Sequence, residues 1–343
     1  MLMRFIVFFL IHLTVFPSFS CRNIDTLEIK LRCKDIHNQW VINHLDLTKN
    51  TAGYSAPVAA RTFNYLSVGM YESAIGLNSG LKSLSNQLEG YNRTIWYPEG
   101  QKLAFEHVSN VVNYRLELFF FENMPPFNRK KTEALFQEII QSYKNKYSKK
   151  SILFSEEYAV KLVNEIIEWS KSDGSANAWN KNFPKEYEAP VCDGCWSRTH
   201  PGFVSALQPY WGQNRLVVNS NRAVCNDIPF VPFSKDISSE FYRQNRIIVD
   251  LFENLPQAKK NTAKYWDDAP GITGTPVGHL FSIAYSLGKH KNSTLEETLK
   301  LYVLLGASIN DAVIESWKLK YHYNLIRPIT YIQRYITPTF NTA

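Results

Sequence analysis

The chain has 343 residues, of which 21 are Phe, 19 Tyr and 8 Trp, whereas only 15 are Gly. Dinucleotide-binding and phosphate-loop folds need closely spaced glycines where the backbone turns sharply or approaches a ligand. The sequence contains no Gly-x-Gly-x-x-Gly or Walker-type run, so these classes are excluded. With 45% hydrophobic and 20% charged residues and a net charge of +7, the chain is neither disordered nor collagen-like, and it is predicted to form one large or two moderate domains.

The positive charge is spread along the chain. Lys and Arg alternate with Asp and Glu in most segments, and the one dense basic run, Lys144 to Lys150, lies at the end of a helical pattern. A solvated basic surface is therefore favoured over a nucleic-acid-binding patch, and no nucleic-acid partner is expected.

Residues 1–20 are typical of a secretory signal peptide. Arg4 precedes an apolar stretch that is too short for an ordinary membrane span, and small residues follow it. Cys21 follows Ser-Phe-Ser, which is similar to a bacterial lipoprotein box except for Phe19. Lipidation of Cys21 and simple cleavage are both left open, and the predicted location is the periplasm or the outer membrane.

Residues 21–175 are predicted to form the first helical region. Apolar residues recur there at spacings of three and four, and prolines separate the patterns. In the last of these helices, Ser155 is predicted to cap the start and Gly174 to close the end. The predicted helices cover approximately 36–47, 58–78, 101–122, 129–147 and 156–174.

Residues 176–236 break this pattern and are rich in Pro, Asn and aromatic residues. A segment of this length is either a lid or a packed excursion, and its aromatic content favours packing. It contains Cys192 and Cys195, which have the spacing of half a zinc site that His200 and Cys225 would complete. In an exported protein, disulfides or free thiols are favoured over zinc.

Helical patterns return in residues 237–343, first at 238–254, 257–267 and 278–290. Thr294 and Glu297 form a capping-box pair at the start of a long apolar helix that is predicted to reach residue 326 and to be buried on nearly all sides. Asp311 and Glu315 share one face of it, and pairing with Arg or Lys of neighbouring helices is favoured over a catalytic role. No His has Glu three positions before it, which excludes a typical di-iron bundle.

Lys320 and Arg327 precede Pro328 at the end of this helix. Seven residues are almost two turns, so the two side chains are predicted to share one face, about 10 Å apart along the axis. A lysine and an arginine fork together suit an oxyanion such as phosphate or vanadate. From the residue types alone, solvated or salt-bridged charges are the commoner interpretation.

The run Lys-x6-Arg-Pro resembles the first signature of the superfamily of vanadium-dependent haloperoxidases, type 2 phosphatidic acid phosphatases and bacterial class A acid phosphatases. Other segments resemble its bacterial haloperoxidase-related branch in the same order: Pro209-Tyr-Trp-Gly212, Tyr265-Trp-Asp-Asp268, Thr275-Pro-Val-Gly-His279 and Asp311-Ala312. This resemblance implies an all-α helical bundle. It also implies that Lys320 and Arg327 bind vanadate as cofactor or phosphate as substrate, with peroxide and halide or a phosphoester as the other reactants.

The chain departs from that family pattern after Pro328. Only 15 residues follow, and they contain neither the Pro-Ser-Gly-His signature nor the final signature with a second arginine and the essential histidine. Pro276-Val-Gly-His279 has Val277 where serine belongs and is predicted to be a helix start, and His322 is no substitute for the missing ligand. The expectation is therefore an inactive N-terminal portion of such an enzyme, incomplete at the C-terminus, with no catalytic residue identified and with no vanadate expected to bind to this chain. The alternative is a non-catalytic helical surface lipoprotein.

Overall fold

The computed structural model describes residues 26–77, 80–94, 102–225 and 230–341. The predicted signal peptide and Cys21 lie outside these residues. Within the described chain the regular structure is helical, and only isolated bridges represent β-structure. The helices are α1 (Thr26–Asn50), α2 (Ala56–Ser73), α3 (Phe105–Phe120), α4 (Pro126–Tyr143), α5 (Lys149–Lys171), α6 (Glu240–Glu253), α7 (Gln257–Tyr265), α8 (Thr275–His290), α9 (Leu295–Tyr323) and α10 (Pro328–Tyr335). The prediction of an all-α fold is confirmed, and no described helix combines the length and apolar character needed to cross a bilayer.

Local capping signals explain where several helices begin. The predicted capping box of α9 is present, with Thr294 Oγ1 accepting the Glu297 amide and Glu297 accepting the Thr294 amide. The predicted start of α5 was wrong, because Ser148 is the residue that caps it, 3.1 Å from the Ser151 amide. Ser155 lies inside the helix, where its hydroxyl donates to the Ser151 carbonyl.

The centre of the bundle is α2, in which every residue from Pro57 to Ser73 is buried. Helix α9 crosses it at Gly306, where a Cβ atom would lie 2.5 Å from Ser67 Oγ, so only glycine permits this close approach. The prediction that α9 is buried on nearly all sides was wrong. Its outer face remains exposed in the described chain, and Leu304 keeps 66% of its surface accessible.

A seam of polar side chains runs through the contact between α1 and α3. Trp40 Nε1 donates to Asn110 Oδ1 at 3.0 Å, and Asn43 Nδ2 donates to Glu117 Oε1 at 2.7 Å. The second oxygen of Glu117 lies 3.1 Å from Nε2 of His44, and both side chains are fully buried. Burial raises the pKa of Glu117 to about 8 and lowers the pKa of His44 to about 3, so the pair is neutral at pH 7.

This pair predicts a pH-dependent stability. A carboxyl whose pKa is raised on folding stabilises the protein fully below its unfolded pKa and loses that contribution as the pH rises through its folded pKa, here about 8. His44 has a lowered pKa and opposes this trend only below about pH 6.5, its unfolded value. We therefore expect the free energy of unfolding to fall between about pH 6.5 and 8, and Glu117→Gln to reduce that slope.

Urea unfolding of both proteins at closely spaced pH values measures this slope. Glu157→Gln, a change of the same chemistry at an exposed position of α5, is the matched control and should leave the slope intact. Parallel pH profiles of Glu117→Gln and the wild type would contradict the assigned neutral pair.

Candidate functional site

Of the two cations singled out by the sequence, Lys320 lies on α9 and Arg327 lies in the linker just before α10. Asn324, in a left-handed conformation with φ of 42°, ends α9 after Tyr323, and Arg327 in extended conformation precedes Pro328 at the start of α10. The predicted continuous helix to residue 326 was therefore wrong, and so was the helical spacing of Lys320 and Arg327 inferred from it. The reason is local, because Pro328 disfavours helical backbone at Arg327 and Asn tolerates the left-handed region.

The chain nevertheless brings Lys320 and Arg327 to one cavity of about 420 Å³. Its apolar wall includes Phe183, Trp196 and Leu207 from the irregular segment. His200 lines the same cavity. The sequence had suggested for His200 only the role of a zinc ligand, because its neighbours have no periodicity that would place it beside α9.

The electrostatics of this cavity favour an anion. Nζ of Lys320 lies 4.7 Å from the centroid of the Trp317 ring and 5.8 Å from that of Tyr321, while the side chain stays open to the cavity. Partial removal from water and the positive charge of Arg327 lower the pKa of Lys320. No carboxylate of the described chain forms a salt bridge with Lys320 or Arg327. Within these residues, the salt-bridge interpretation is thus excluded.

Asp311 attaches the irregular segment to α9. Its carboxylate accepts the backbone amides of Val217 and Val218 at 2.8 and 2.9 Å and the side-chain amide of Asn221 at 2.8 Å. The predicted pairing of Asp311 with Arg or Lys was wrong, because these amide donors satisfy the buried carboxylate without a cation. Glu315 does approach a lysine, but this is Lys318 of the same helix, at 3.4 Å.

A second attachment lies beside the cavity itself. Nε1 of Trp317 and the hydroxyl of Tyr321 both donate to the carbonyl of Leu207, at 3.1 and 2.7 Å. The aromatic residues that flank Lys320 therefore hold the cavity wall against the end of α9.

The cysteines of the irregular segment form a disulfide between Cys192 and Cys195. This confirms the disulfide alternative, and the two sulfurs are not available to zinc; no cluster of three metal-ligand candidates occurs in the described chain. Cys33 is free and buried, and the side chain of Cys225 lies outside the described residues.

The two other histidines discussed from the sequence, His279 and His322, do not line the cavity of Lys320 and Arg327. The predicted helix start at Pro276 is confirmed, since α8 begins at Thr275. Its His279 lies 2.9 Å from a carboxylate oxygen of Asp268 and stacks on Trp266. His322 is exposed on α9 and contacts Tyr323, outside the cavity of Lys320.

Comparisons with known proteins identify this architecture. The fold matches the crystal structure of a bacterial vanadium-dependent iodoperoxidase with a TM-score of 0.77 and 23% sequence identity, over 90% of this chain and 74% of that chain. The chain has a vanadium haloperoxidase fold. Residues 300–342 match the family described as the VCPO second helical-bundle domain, and this stretch of the haloperoxidase fold contains Lys320 and Arg327. No curated protein matches the chain.

The resemblance inferred from the sequence motifs is thereby confirmed for the haloperoxidase fold and for the segment that includes α10. The anion-binding roles of Lys320 and Arg327 stay predictions.

The proximity of the two cations is testable without any ligand. Because the charge of Arg327 contributes to the lowered pKa of Lys320, Arg327→Gln should raise the pKa of Lys320. NMR titration of the lysine side chains, with Lys320 assigned by substitution, measures this shift. Arg243→Gln on the exposed face of α6 should leave the pKa of Lys320 unchanged, and an equal response to both variants would contradict the proximity.

The attachment through Asp311 has its own test. In Asp311→Asn, one carboxylate oxygen becomes an NH2 group, which faces amide donors that it cannot accept from. We therefore expect a loss of about 1–3 kcal/mol in the free energy of unfolding. Urea unfolding measures the loss, and Ser308→Ala at an exposed position of the same helix is the control. A stability equal to that of the control would show that these hydrogen bonds do not hold the segment.

Proposed function

We propose that this chain supplies the lysine and arginine half of an oxyanion-binding site of the vanadium haloperoxidase type. The observation that carries the proposal is the convergence of Lys320 and Arg327 on one cavity, with no carboxylate of the described chain paired to either. Two neighbouring cations repel each other, and a bound anion offsets this repulsion. The haloperoxidase fold and the match of residues 300–342 support the same function.

The residues present fit a tetrahedral oxyanion. The ammonium group of Lys320 is a compact point charge with three donors, and the guanidinium group of Arg327 offers two parallel donors to two oxygens. Vanadate supplies peroxide-dependent halide oxidation when bound in enzymes of this type, and phosphate in the same position is the group transferred in the related phosphatases. In this chain, Lys320 and Arg327 would hold either anion and stabilise its negative charge.

One side of the cavity is apolar. Phe183, Trp196 and Leu207 line it, while the side chains of Lys320 and Arg327 are themselves exposed, so an anion would reach both charges directly from solvent. His200 is the one histidine that lines this cavity among the described residues, and we propose that it contacts the bound anion.

We further propose that the 343-residue chain binds the anion but does not turn over peroxide and halide or phosphoesters. The proposal is supported by the sequence, which contains neither a Pro-Ser-Gly-His nor a Ser-Arg-x5-His signature. Export of the protein is likewise a proposal. It is supported by the signal-like residues 1–20 and by the disulfide, since disulfides persist mainly in oxidising compartments.

Anion binding is tested by titrating the purified chain with vanadate and, separately, with inorganic phosphate. Lys320→Ala and Arg327→Ala should each weaken binding by about ten-fold or more, because each removes a charge-assisted hydrogen bond. Lys300→Ala and Arg243→Ala are matched controls at exposed positions of α9 and α6. Affinities that are equal in all four variants would refute the assigned site.

The proposed inactivity is measured separately, with vanadate, peroxide and iodide and with a phosphomonoester. We expect no turnover above the rate of the protein-free mixture. Turnover that is lost in Lys320→Ala would refute the proposed inactivity while supporting the site.

A further inference from the structure

The disulfide loop, residues 192–195, is paired with the linker between α9 and α10, which ends at Arg327. The amide of Trp196 donates to the carbonyl of Asn324 at 2.8 Å, and the amide of Ile326 donates to the carbonyl of Gly194 at 2.9 Å. Cys195 and Leu325 thus form an isolated antiparallel bridge. Within the described chain, these are the backbone hydrogen bonds that link residues 324–326 to another segment.

The two cations belong to different packing units on either side of this bridge. Lys320 is on α9, whose buried residues are part of the main core. Arg327 directly precedes α10, which packs against α6 in separate small clusters that include Ile326 and Tyr331. The distance between the two charges therefore depends on the linker and on whatever holds it.

The loop that holds the linker is closed by the disulfide. Cys192 and Cys195 bracket a tight turn whose own backbone closure is one hydrogen bond, from the Cys195 amide to the Cys192 carbonyl at 3.1 Å. Gly194 lies against Phe233 of the α10 unit so closely that a Cβ atom would be 2.5 Å from the ring. Asp193 also forms a salt bridge with Lys235, but both side chains are largely exposed, so this bridge contributes little.

We propose that the Cys192–Cys195 disulfide is a redox-sensitive brace that positions Arg327 relative to Lys320. Its reduction frees the loop, releases the pairing with residues 324–326 and weakens the binding of an anion between the two cations. The second part of this inference rests on the proposed function, whereas the first part concerns the fold alone. Cys192 and Cys195 are thus positioning residues and do not contact the anion.

The disulfide is open to a dithiol reductant. Cys192 is exposed, and both cysteines line a cavity of about 790 Å³ that is also lined by three cationic residues, Lys185, Arg198 and Arg334, and by two carboxylates, Glu188 and Asp193. A thiolate of the reductant attacks Sγ of Cys192, the bond between Cys192 and Cys195 breaks, and Cys195 leaves as a thiolate. The second thiolate of the reductant then displaces Cys192. Two electrons pass to the protein, its two thiolates take up protons according to pH, and the reductant ends as a disulfide.

The test compares the oxidised wild type, the wild type reduced by a dithiol that is then removed under anaerobic conditions, and Cys192→Ser/Cys195→Ser. The first measurement is hydrogen exchange at the amides of Trp196 and Ile326. The second measurement is the affinity for inorganic phosphate. Phosphate is the chosen anion because thiols do not reduce it. Cys33→Ser is the matched control, since it removes a cysteine that forms no disulfide.

We expect the reduced and double-serine proteins to exchange both amides faster while α2 keeps its protection. Their dissociation constant for phosphate should rise by about ten-fold, the loss that is usual when a group supporting a ligand is removed. Reductant should change nothing further in the double-serine protein.

Three results would overturn the inference: unchanged exchange at Trp196 and Ile326, faster exchange with unchanged phosphate affinity, or a loss of protection throughout the chain. If the oxidised wild type binds no phosphate or vanadate, the proposed function fails instead. The brace is then tested by the rate at which phenylglyoxal modifies Arg327, which should change when the disulfide is reduced. An unchanged rate would refute the brace.

Discussion

Two backbone hydrogen bonds between residues 194–196 and 324–326 set the relation between the two parts of the candidate site. Lys320 is carried by the main bundle and Arg327 by the smaller α6–α10 unit, so the charges are not placed by a single rigid helix. Their mutual repulsion favours separation. In the proposed brace, the Cys195–Leu325 bridge resists this separation, and the Cys192–Cys195 disulfide holds the loop that forms the bridge.

The irregular segment is attached to α9, beside the site, through polar contacts that are buried or partly buried. The carboxylate of Asp311 accepts hydrogen bonds from the backbone amides of Val217 and Val218. The carbonyl of Leu207 accepts hydrogen bonds from the side chains of Trp317 and Tyr321. Such contacts are strong in a buried setting because an unpaired amide or carboxylate there is costly. The same helix thus fixes the aromatic wall of the cavity and carries Lys320 at its end.

Local signals in the sequence predicted the helical fold, the Thr294–Glu297 capping box and the helix start at Pro276, because each depends on residues a few positions apart. They failed where distant residues decide. Two of the donors to Asp311 are backbone amides without a side-chain signature, and the place of His200 beside α9 follows from a loop with no periodicity. The end of α9 at Tyr323 was also missed, although its signals, Asn324 and Pro328, are local, because an apolar pattern continues past it.

The anion site at Lys320 and Arg327 is tested most directly by locating a heavy oxyanion in crystals of the oxidised chain soaked with tungstate. We expect anomalous density between Nζ of Lys320 and the guanidinium group of Arg327, within the cavity walled by Phe183 and Leu207. Tungstate bound only at other cationic surfaces, with this cavity free of anomalous density at saturating concentration, would contradict the assigned site.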